Sequence, residues 1–374
     1  MRRLLLLGTG SIAAQHITEF GAVAECEIVA CADAVPGRAA NFAAKAGIGN
    51  AFESLDAALA WGGFDAAINA TPDRVHKVTT LQLLAAGKHV FSEKPLAPNH
   101  ADALEMTEAA ERAGLVNMVN LTYRNSPAIQ RAREMVLDGA IGELRHVEAA
   151  YRQSWLVGRT WGDWRVEDKW LWRLSSAHGS TGVLGDVGIH ILDFATYGAA
   201  QEIASLRADL VTFPKIEGDR IGNYALDAND SVAITARLSG GALATIVATR
   251  YATGHLNDLS LMLHGTRGAL KVTTGIDSAS LSACLGHDVD LPVWRDVPLQ
   301  STRRNAQRFI DALRTGVNGD PSFRRGADMQ RIIDSAFESD RCGRSIELPY
   351  GSGEFDGSVG MDRQGLGESP ALPD

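Results

Sequence analysis

The sequence predicts a two-domain α/β protein in which a doubly wound parallel sheet is followed by a largely antiparallel sheet. Its 374 residues exceed what one compact core usually holds. Short apolar runs alternate with helical patterns over residues 1–122, which is typical of βαβ units. Residues 123–350 change to strand-like segments with glycine-rich turns. Residues 351–374 are rich in Gly, Ser, Asp and Pro, and we expect them to be disordered.

The elements follow from these patterns. Strands are predicted at 4–7, 27–32, 66–69, 89–92 and 116–120, with helices at 13–20, 38–46, 55–60, 75–86 and 101–113. A helix over 128–137 then leads to strands at 144–152, 203–212, 231–238, 242–251, 259–264 and 269–273. The turns Ser239-Gly240-Gly241 and Gly265-Thr266-Arg267-Gly268 predict hairpins, and helical patterns return between residues 305 and 339.

Composition excludes several classes of function. A net charge of −9 argues against a nucleic-acid partner. The four cysteines have no CxxC spacing, so we expect reduced thiols in a cytoplasmic protein and neither zinc nor disulfides. The apolar run at the start stops at Gly8, which is too short for a signal peptide, and no stretch is long enough to span a membrane.

The segment Gly8-Thr9-Gly10-Ser11-Ile12-Ala13 closes the first predicted strand and opens a helix. Gly8 permits the tight turn, Gly10 lets the backbone approach a pyrophosphate, and Ala13 allows close packing of the helix on the strand. The helix N-terminus, from Ser11 and Ile12 onward, offers N–H groups to the phosphates. This pattern predicts a dinucleotide site.

Three further segments end predicted strands at the same edge of the sheet. Asp33 stands where a carboxylate binds the ribose hydroxyls and repels a 2′-phosphate, which favours NAD over NADP; the alternative is that it caps the next helix. Thr71-Pro72 is either a backbone contact to the cofactor or a plain turn. In Glu93-Lys94-Pro95, the lysine could stabilise a developing alkoxide, or it could be an ordinary surface lysine.

The strongest local pattern runs from Gly182 to Asp193. At helical spacing Asp186, His190 and Asp193 share one face, while the residues between them are apolar. Burying three ionisable groups is costly unless they are paired or used. Asp186 could orient His190 and raise its basicity, so that His190 accepts a proton. The alternatives are a purely structural Asp–His pair and a metal site, although no further ligand stands nearby.

Several motifs together resemble the Gfo/Idh/MocA family, which includes glucose–fructose oxidoreductase and inositol dehydrogenase. They run in family order over roughly residues 3 to 350: GTGSIA at 8–13, Ala70-Thr71-Pro72 with His76, Ala86-Gly87-Lys88-His89-Val90 before Glu93-Lys94-Pro95, Tyr123-Arg124 with Pro127, the segment 185–190 ending at Asp193, and Pro321-Ser322-Phe323 with Gly326. The chain departs from the family pattern at Ser180-Thr181-Gly182 and at Thr122, which could reshape the pocket.

The resemblance implies a Rossmann domain followed by an α+β domain with an open, mostly antiparallel sheet that makes homodimers or homotetramers. It implies that Lys94, Asp186 and His190 are catalytic, that Asp193 is an acid on the substrate side, and that Tyr123 lies at the substrate. The expected activity is hydride transfer between NAD and a ring carbon of a sugar or inositol. An NAD-retaining glycosidase or lyase, and a non-catalytic nucleotide sensor, are the alternatives.

Residues 151–173 hold five of the seven tryptophans, at positions 155, 161, 164, 170 and 172, together with Arg152, Arg159, Arg165, Lys169 and Arg173. Aromatic faces stack on sugar rings and basic groups bind hydroxyls or anions, although the same composition suits a domain or subunit contact. Trp172 and Arg173 are the predicted substrate contacts. A preference for a uronate or a sulfonate is a further hypothesis.

Overall fold

The computed structural model describes residues 1–348, which form two large sheets with helices packed against them. The first sheet has six strands, all parallel, in the order β3-β2-β1-β4-β5-β6. These strands are β1 (Arg2–Leu7), β2 (Cys26–Ala32), β3 (Asn50–Phe52), β4 (Ala66–Asn69), β5 (His89–Ser92) and β6 (Asn117–Val119). The helices between them are α1 (Ala13–Gly21), α2 (Arg38–Ala46), α3 (Leu55–Trp61), α4 (Asp73–Ala85) and α5 (His100–Arg112).

The doubly wound parallel sheet is confirmed. Strand β1 lies between β2 and β4, and its residues Leu4, Leu5 and Leu6 are fully buried because helices cover both faces of the sheet. The short edge strand β3 was not predicted. Its three residues are partly or fully exposed and so form no apolar run.

The second sheet has nine strands in the order β16-β15-β14-β13-β7-β12-β11-β8-β17, and only the β7–β12 pair is parallel. The strands after residue 122 are β7 (Leu144–Gln153), β8 (Ile203–Val211), β9 (Arg220–Ile221), β10 (Tyr224–Ala225), β11 (Ser231–Leu238), β12 (Leu243–Thr249), β13 (Asn257–Gly265), β14 (Gly268–Thr274), β15 (Ala279–Leu285), β16 (Arg295–Asp296) and β17 (Ile346–Glu347). The mostly antiparallel sheet is thus confirmed, with both predicted glycine turns closing hairpins.

The helices of this part are α6 (Pro127–Leu137), α7 (Asp168–Leu171), α8 (Ile189–Ala199), α9 (Asn305–Thr315) and α10 (Phe323–Cys342). The segment Leu184–Gly188, directly before α8, is a π-helical turn. Helix α9 returns to the first half, where Phe309 and Ile310 pack with Leu4 and Phe91. The predicted domain boundary between residues 122 and 123 stays a prediction. Helix α9, although it comes late in the chain, packs in the core of the first half.

A small apolar core separate from the main one lies over the second sheet. Trp155, Leu156, Trp164, Leu171, Leu174 and Leu226 form it. We call the segments 154–180 and 213–229, which contribute these side chains, the cap. No helix within residues 1–348 is both long and apolar enough to cross a membrane. The predicted disorder of residues 351–374 lies outside the described residues.

Candidate active site

The turn between β1 and α1 has room for a phosphate group. Gly8 has φ +91°, and a Cβ atom there would lie 2.6 Å from the carbonyl oxygen of Ala70, so only glycine fits. A Cβ on Gly10 would have no heavy atom within 4 Å, which leaves open space beside the turn. Ser11 is exposed and Ile12 half-buried on the same turn. This arrangement fits the pyrophosphate of a dinucleotide at the start of α1.

Asp33 lies at the carboxyl end of β2 beside this turn. Its Oδ2 accepts hydrogen bonds from the Thr9 backbone N–H at 2.9 Å and from the Thr9 hydroxyl at 2.8 Å, and its Oδ1 accepts one from Val35. Burial raises the pKa of this carboxyl, but these bonds outweigh burial and lower it. Helix α2 begins later, at Arg38, without a side-chain cap, so the capping alternative for Asp33 is wrong.

Glu93 is held by two side chains of the first half. Its Oε1 lies 3.0 Å from His16 Nε2 and accepts a 2.7 Å hydrogen bond from Asn120. Burial raises its pKa, but the His16 and Asn120 contacts outweigh burial and lower the pKa to about 2. The charged carboxylate therefore ties α1 and the end of β6 to the loop that carries Lys94. The pattern of the sequence did not single out His16 or Asn120.

His76 connects two loops at the carboxyl edge of the first sheet, the loop of Thr71 and the loop of Lys94 and Pro95. Its Nε2 lies 2.7 Å from the carbonyl oxygen of Thr71, and its Nδ1 lies 2.9 Å from that of Pro95. Pro72 directly precedes α4. The loop of Thr71 and the loop of Lys94 are thus connected through one buried imidazole, for which the sequence had suggested no role.

Lys94 reaches from the first half of the chain to the second. Its Nζ donates a 2.8 Å hydrogen bond to the backbone carbonyl of Asp186 and lies 3.7 Å from the Asp186 carboxylate. Lys94, Asp186 and His190 line one cavity of about 200 Å³, together with Tyr151, Gln153, Trp155, Trp161, Trp170, Arg173 and Val187. The lysine and the histidine predicted to act together therefore face a common space.

His190 is in a form that can accept a proton. It is 7% exposed, and burial, followed by the charge of Lys94, lowers its pKa to about 3, so the imidazole is neutral at physiological pH. Its Nδ1 is buried without a hydrogen-bond partner. Within residues 1–348 no hydrogen bond joins Asp186 to this ring, so the predicted orientation of His190 by Asp186 is not seen, although the Asp186 charge raises the pKa of His190 against burial and Lys94.

The Asp186 carboxylate is shared by three cations instead. Its Oδ2 lies 3.0 Å from Arg250 Nη2 and 3.6 Å from Arg173 Nε, while its Oδ1 faces Lys94. Burial raises the pKa of Asp186, but the three positive charges outweigh burial and hold it well below its usual range. Arg250, which follows β12 and is fully buried, was not predicted.

Two tyrosines support the His190 ring. The Tyr123 ring packs edge-on against it at 5.0 Å between centroids, and the Tyr151 ring lies at 6.4 Å. Asn257 Nδ2 donates to the Tyr123 hydroxyl at 2.7 Å, the two hydroxyls are 2.6 Å apart, and the Tyr151 hydroxyl donates to Asn257 Oδ1 at 2.7 Å. We call this closed set of bonds the tyrosine cycle. The sequence predicts that Tyr123 contacts the substrate, but its hydroxyl is hydrogen-bonded to Tyr151 and Asn257. Tyr151, and not Tyr123, lines the cavity.

Asp193 does not face the cavity, contrary to its predicted role as an acid on the substrate side. Its two oxygens accept hydrogen bonds from Arg124 at 2.7 and 2.8 Å and from Arg325 at 2.8 Å. The residue is 3% exposed, and the two guanidinium groups outweigh the effect of burial and lower its pKa to about 2. The carboxylate is fully used in joining α8 to α10 and to the segment before α6.

The tryptophan-rich segment contributes to the cavity unevenly. Trp155, Trp161 and Trp170 line it, whereas Trp164 is buried inside the cap. Trp172, a predicted substrate contact, is 37% exposed outside the cavity, and its ring carries the Arg173 guanidinium at 4.5 Å. Of that predicted pair, only Arg173 lines the cavity. Within residues 1–348, no cluster of three or more His, Cys, Asp or Glu is arranged to hold a metal ion.

Comparison with known proteins finds matches along most of the chain. The family model for an oxidoreductase family with an NAD-binding Rossmann fold matches residues 2–121, and the model for the GFO/IDH/MocA C-terminal domain matches residues 129–271. Levoglucosan dehydrogenase of Pseudarthrobacter phenanthrenivorans is 27% identical over 315 residues, which cover 75% of this chain and 79% of that protein. Inositol 2-dehydrogenase of Rhizobium meliloti is 26% identical over 351 residues, 92% and 99% of the two chains.

Solved structures with a similar fold include one of these relatives. A solved levoglucosan dehydrogenase in complex with NADH and levoglucosan has a TM-score of 0.82 at 24% identity, over 93% of this chain and 100% of that one. The likeness extends over both sheets, so the two halves are arranged as in that structure.

Proposed function

Because the chain belongs to the Gfo/Idh/MocA family, whose first domain binds NAD, we propose that it transfers a hydride between NAD and a ring carbon of a sugar, sugar derivative or inositol. The observation that carries the proposal is the shared cavity of Lys94 and His190, in which a cation and a neutral imidazole face one space. The dehydrogenase names of the relatives support the same reaction class.

Oxidation of a CH–OH group removes a hydride from carbon and a proton from oxygen, and NAD, when bound, is the hydride acceptor. Lys94 donates a hydrogen bond to the reacting oxygen and stabilises its developing negative charge. His190 takes the proton, because its lowered pKa keeps a ring nitrogen free as an acceptor. In the direction of ketone reduction the two residues act in reverse.

Asp33 supports NAD rather than NADP as the cofactor. Its carboxylate stands at the end of β2 with a lowered pKa, so it is charged where a 2′-phosphate would approach. Arg38 is half-exposed 3.7 Å from it and partly offsets this charge. The preference is therefore expected to be a ratio of activities rather than complete exclusion of NADP.

A substrate panel tests the proposal. Sugars, sugar acids, anhydrosugars and inositols would be offered with NAD and with NADP, and NADH formation would be followed by absorbance. Lys94→Met and His190→Asn should lower kcat by about 10²–10⁴-fold, the range for a lost acid–base or electrostatic group, with the dissociation constant for NADH nearly unchanged. His146→Asn, which changes a half-exposed histidine on β7 outside the cavity, is the matched control.

Near-normal turnover in either site variant would contradict the assigned roles. The protein could instead retain NAD on purification and turn over a glycoside without net formation of NADH. That result would favour the glycosidase or lyase alternative over a dehydrogenase that exchanges its cofactor freely. NADH binding without any turnover would favour the sensor alternative, although a sensor has no need of a buried proton acceptor.

Assembly as a homodimer or homotetramer and a cytoplasmic location stay predictions. Light scattering of the purified protein would test the first, and fractionation of cells would test the second.

A further inference from the structure

Three cations surround one carboxylate at the cavity. Lys94, Arg173 and Arg250 all lie within 4 Å of the Asp186 carboxylate, at 3.7, 3.6 and 3.0 Å. His190 is neutral, so it adds no charge. Three cations therefore share one carboxylate, and this set alone has two uncompensated positive charges.

Three further acids lie around this set. Glu93 is charged, but it is partnered by His16 and Asn120. Asp230 lies near Arg250 but forms its own buried pair with Lys215 at 2.6 Å. Asp73 also interacts with Lys94, and burial raises its pKa. Glu93 and Asp73 thus act on Lys94, whereas within residues 1–348 the shared Asp186 is the only carboxylate within 4 Å of Arg173.

Arg173 differs from the other basic residues of the cap. Arg159 and Arg165 share Asp163, and Lys169 pairs with Glu167, so each of these three has a carboxylate within the cap, and none of them lines the cavity. Arg173 has no acid of its own on the cap, and it shares the Asp186 carboxylate with Lys94 and Arg250. Its guanidinium is partly exposed, between the rings of Trp170 and Trp172.

An unneutralised cation in a half-buried cavity is costly unless a ligand supplies the opposite charge. We propose that the substrate is a sugar acid whose carboxylate pairs with Arg173, while the hydroxyl to be oxidised lies at Lys94 and His190. Arginine suits this role because its planar guanidinium binds a carboxylate through two parallel hydrogen bonds. The proposal rests on the proposed function and names its substrate class.

The cavity also limits the size of the substrate. Its volume of about 200 Å³ is below the roughly 300–1,000 Å³ of pockets for drug-sized ligands, which favours a single sugar ring. Trp155, Trp161 and Trp170 line the cavity and add apolar surface for the C–H groups of such a ring. A monosaccharide acid, such as a hexuronate, satisfies the charge, the size and this apolar lining.

The experiment compares acids with their neutral partners. The rates of the wild type with D-glucuronate and D-glucose, and with D-galacturonate and D-galactose, would be measured by NADH absorbance. We expect kcat/KM to be at least tenfold higher for an acid than for its neutral partner. In Arg173→Gln this acid-to-neutral ratio should fall at least tenfold, mainly through KM for the acid, and in Arg173→Lys it should fall less.

Arg159→Gln is the matched control, since it removes a cap arginine outside the cavity and should leave the ratio within about twofold. Binding of D-glucuronate to the NADH-loaded protein, measured by calorimetry, is a readout independent of turnover and should weaken in Arg173→Gln. Equal rates for acids and neutral sugars in the wild type would overturn the sugar-acid proposal but leave the dehydrogenase function intact. Absence of turnover for every sugar in the panel, with no glucuronate binding, would overturn both.

Discussion

Asp193→Asn distinguishes a structural carboxylate from one that binds substrate. The change keeps the size of the side chain but removes the charge that Arg124 and Arg325 share. Arg325 would still have Glu202, and Arg124 would still have Asp320 at a more exposed position. Both guanidinium groups are almost fully buried, so the loss of their common partner should destabilise the folded chain.

Two routes lead to the magnitude. The pKa of Asp193 is about 2, against about 3.9 for a free aspartate, which corresponds to about 2.5 kcal/mol of stability at neutral pH. Breaking a buried ion pair by removing one partner typically costs about 3–5 kcal/mol. We therefore expect the free energy of unfolding to fall by about 3 kcal/mol. Because the pKa is depressed in the folded state, the difference between wild type and variant should be full above about pH 4 and should shrink towards pH 2.

Urea denaturation of the two proteins, followed by far-UV circular dichroism, is the assay. Glu143→Gln, which removes one acid of an exposed pair with Arg145, is the control and should change stability by less than about 1 kcal/mol. A variant with wild-type stability and a tenfold higher KM for the sugar would refute the structural role and restore the substrate role predicted from the sequence.

The other predictions concern the proton acceptor, the cofactor and the tyrosine cycle. Since the pKa of His190 is lowered to about 3, kcat/KM should show no acid limb from this residue between about pH 5 and 8, and a limb near pH 6.5 would contradict its neutral burial. Asp33→Ser should raise the NADP-to-NAD ratio of kcat/KM at least tenfold, because it removes the charge facing a 2′-phosphate; an unchanged ratio would mean that Asp33 does not select the cofactor. Tyr123→Phe opens the tyrosine cycle and leaves the Asn257 donor unpaired, so unfolding by urea should show a loss of about 1–3 kcal/mol, whereas wild-type stability would contradict a closed cycle.

The first sheet was predictable because its signals are local. Each central strand is a short apolar run followed by a helical pattern, and topology then brings the carboxyl ends of the strands together. The turn at Gly8, Asp33 and Lys94 could therefore be assigned to one edge from strand endings alone. Strand β3 escaped because three partly exposed residues carry no pattern.

The site was predictable as a set of residues but not as a set of contacts. Equal helical spacing implied one face for Asp186, His190 and Asp193, but a π-helical turn interrupts the spacing before α8. Arg250 and Asn257 come from the end of β12 and the start of β13, more than 60 residues from the side chains they bind. No spacing along the chain reports such a contact, and so the true partners of Asp186 and Tyr123 were missed.

The ion pairs of Asp186 bear on both the protonation state of His190 and the choice of substrate. A free Asp186 beside His190, as the sequence suggested, would raise the pKa of the imidazole and favour its protonated form. With Arg173, Arg250 and Lys94 around that carboxylate, its effect on the ring is offset, and burial together with Lys94 keeps His190 neutral. Among the described residues Arg173 has only the shared Asp186 carboxylate within 4 Å, and a substrate carboxylate would balance its charge. Proton acceptance by His190 and selection of an acidic sugar are thus two consequences of one arrangement, three cations around one carboxylate.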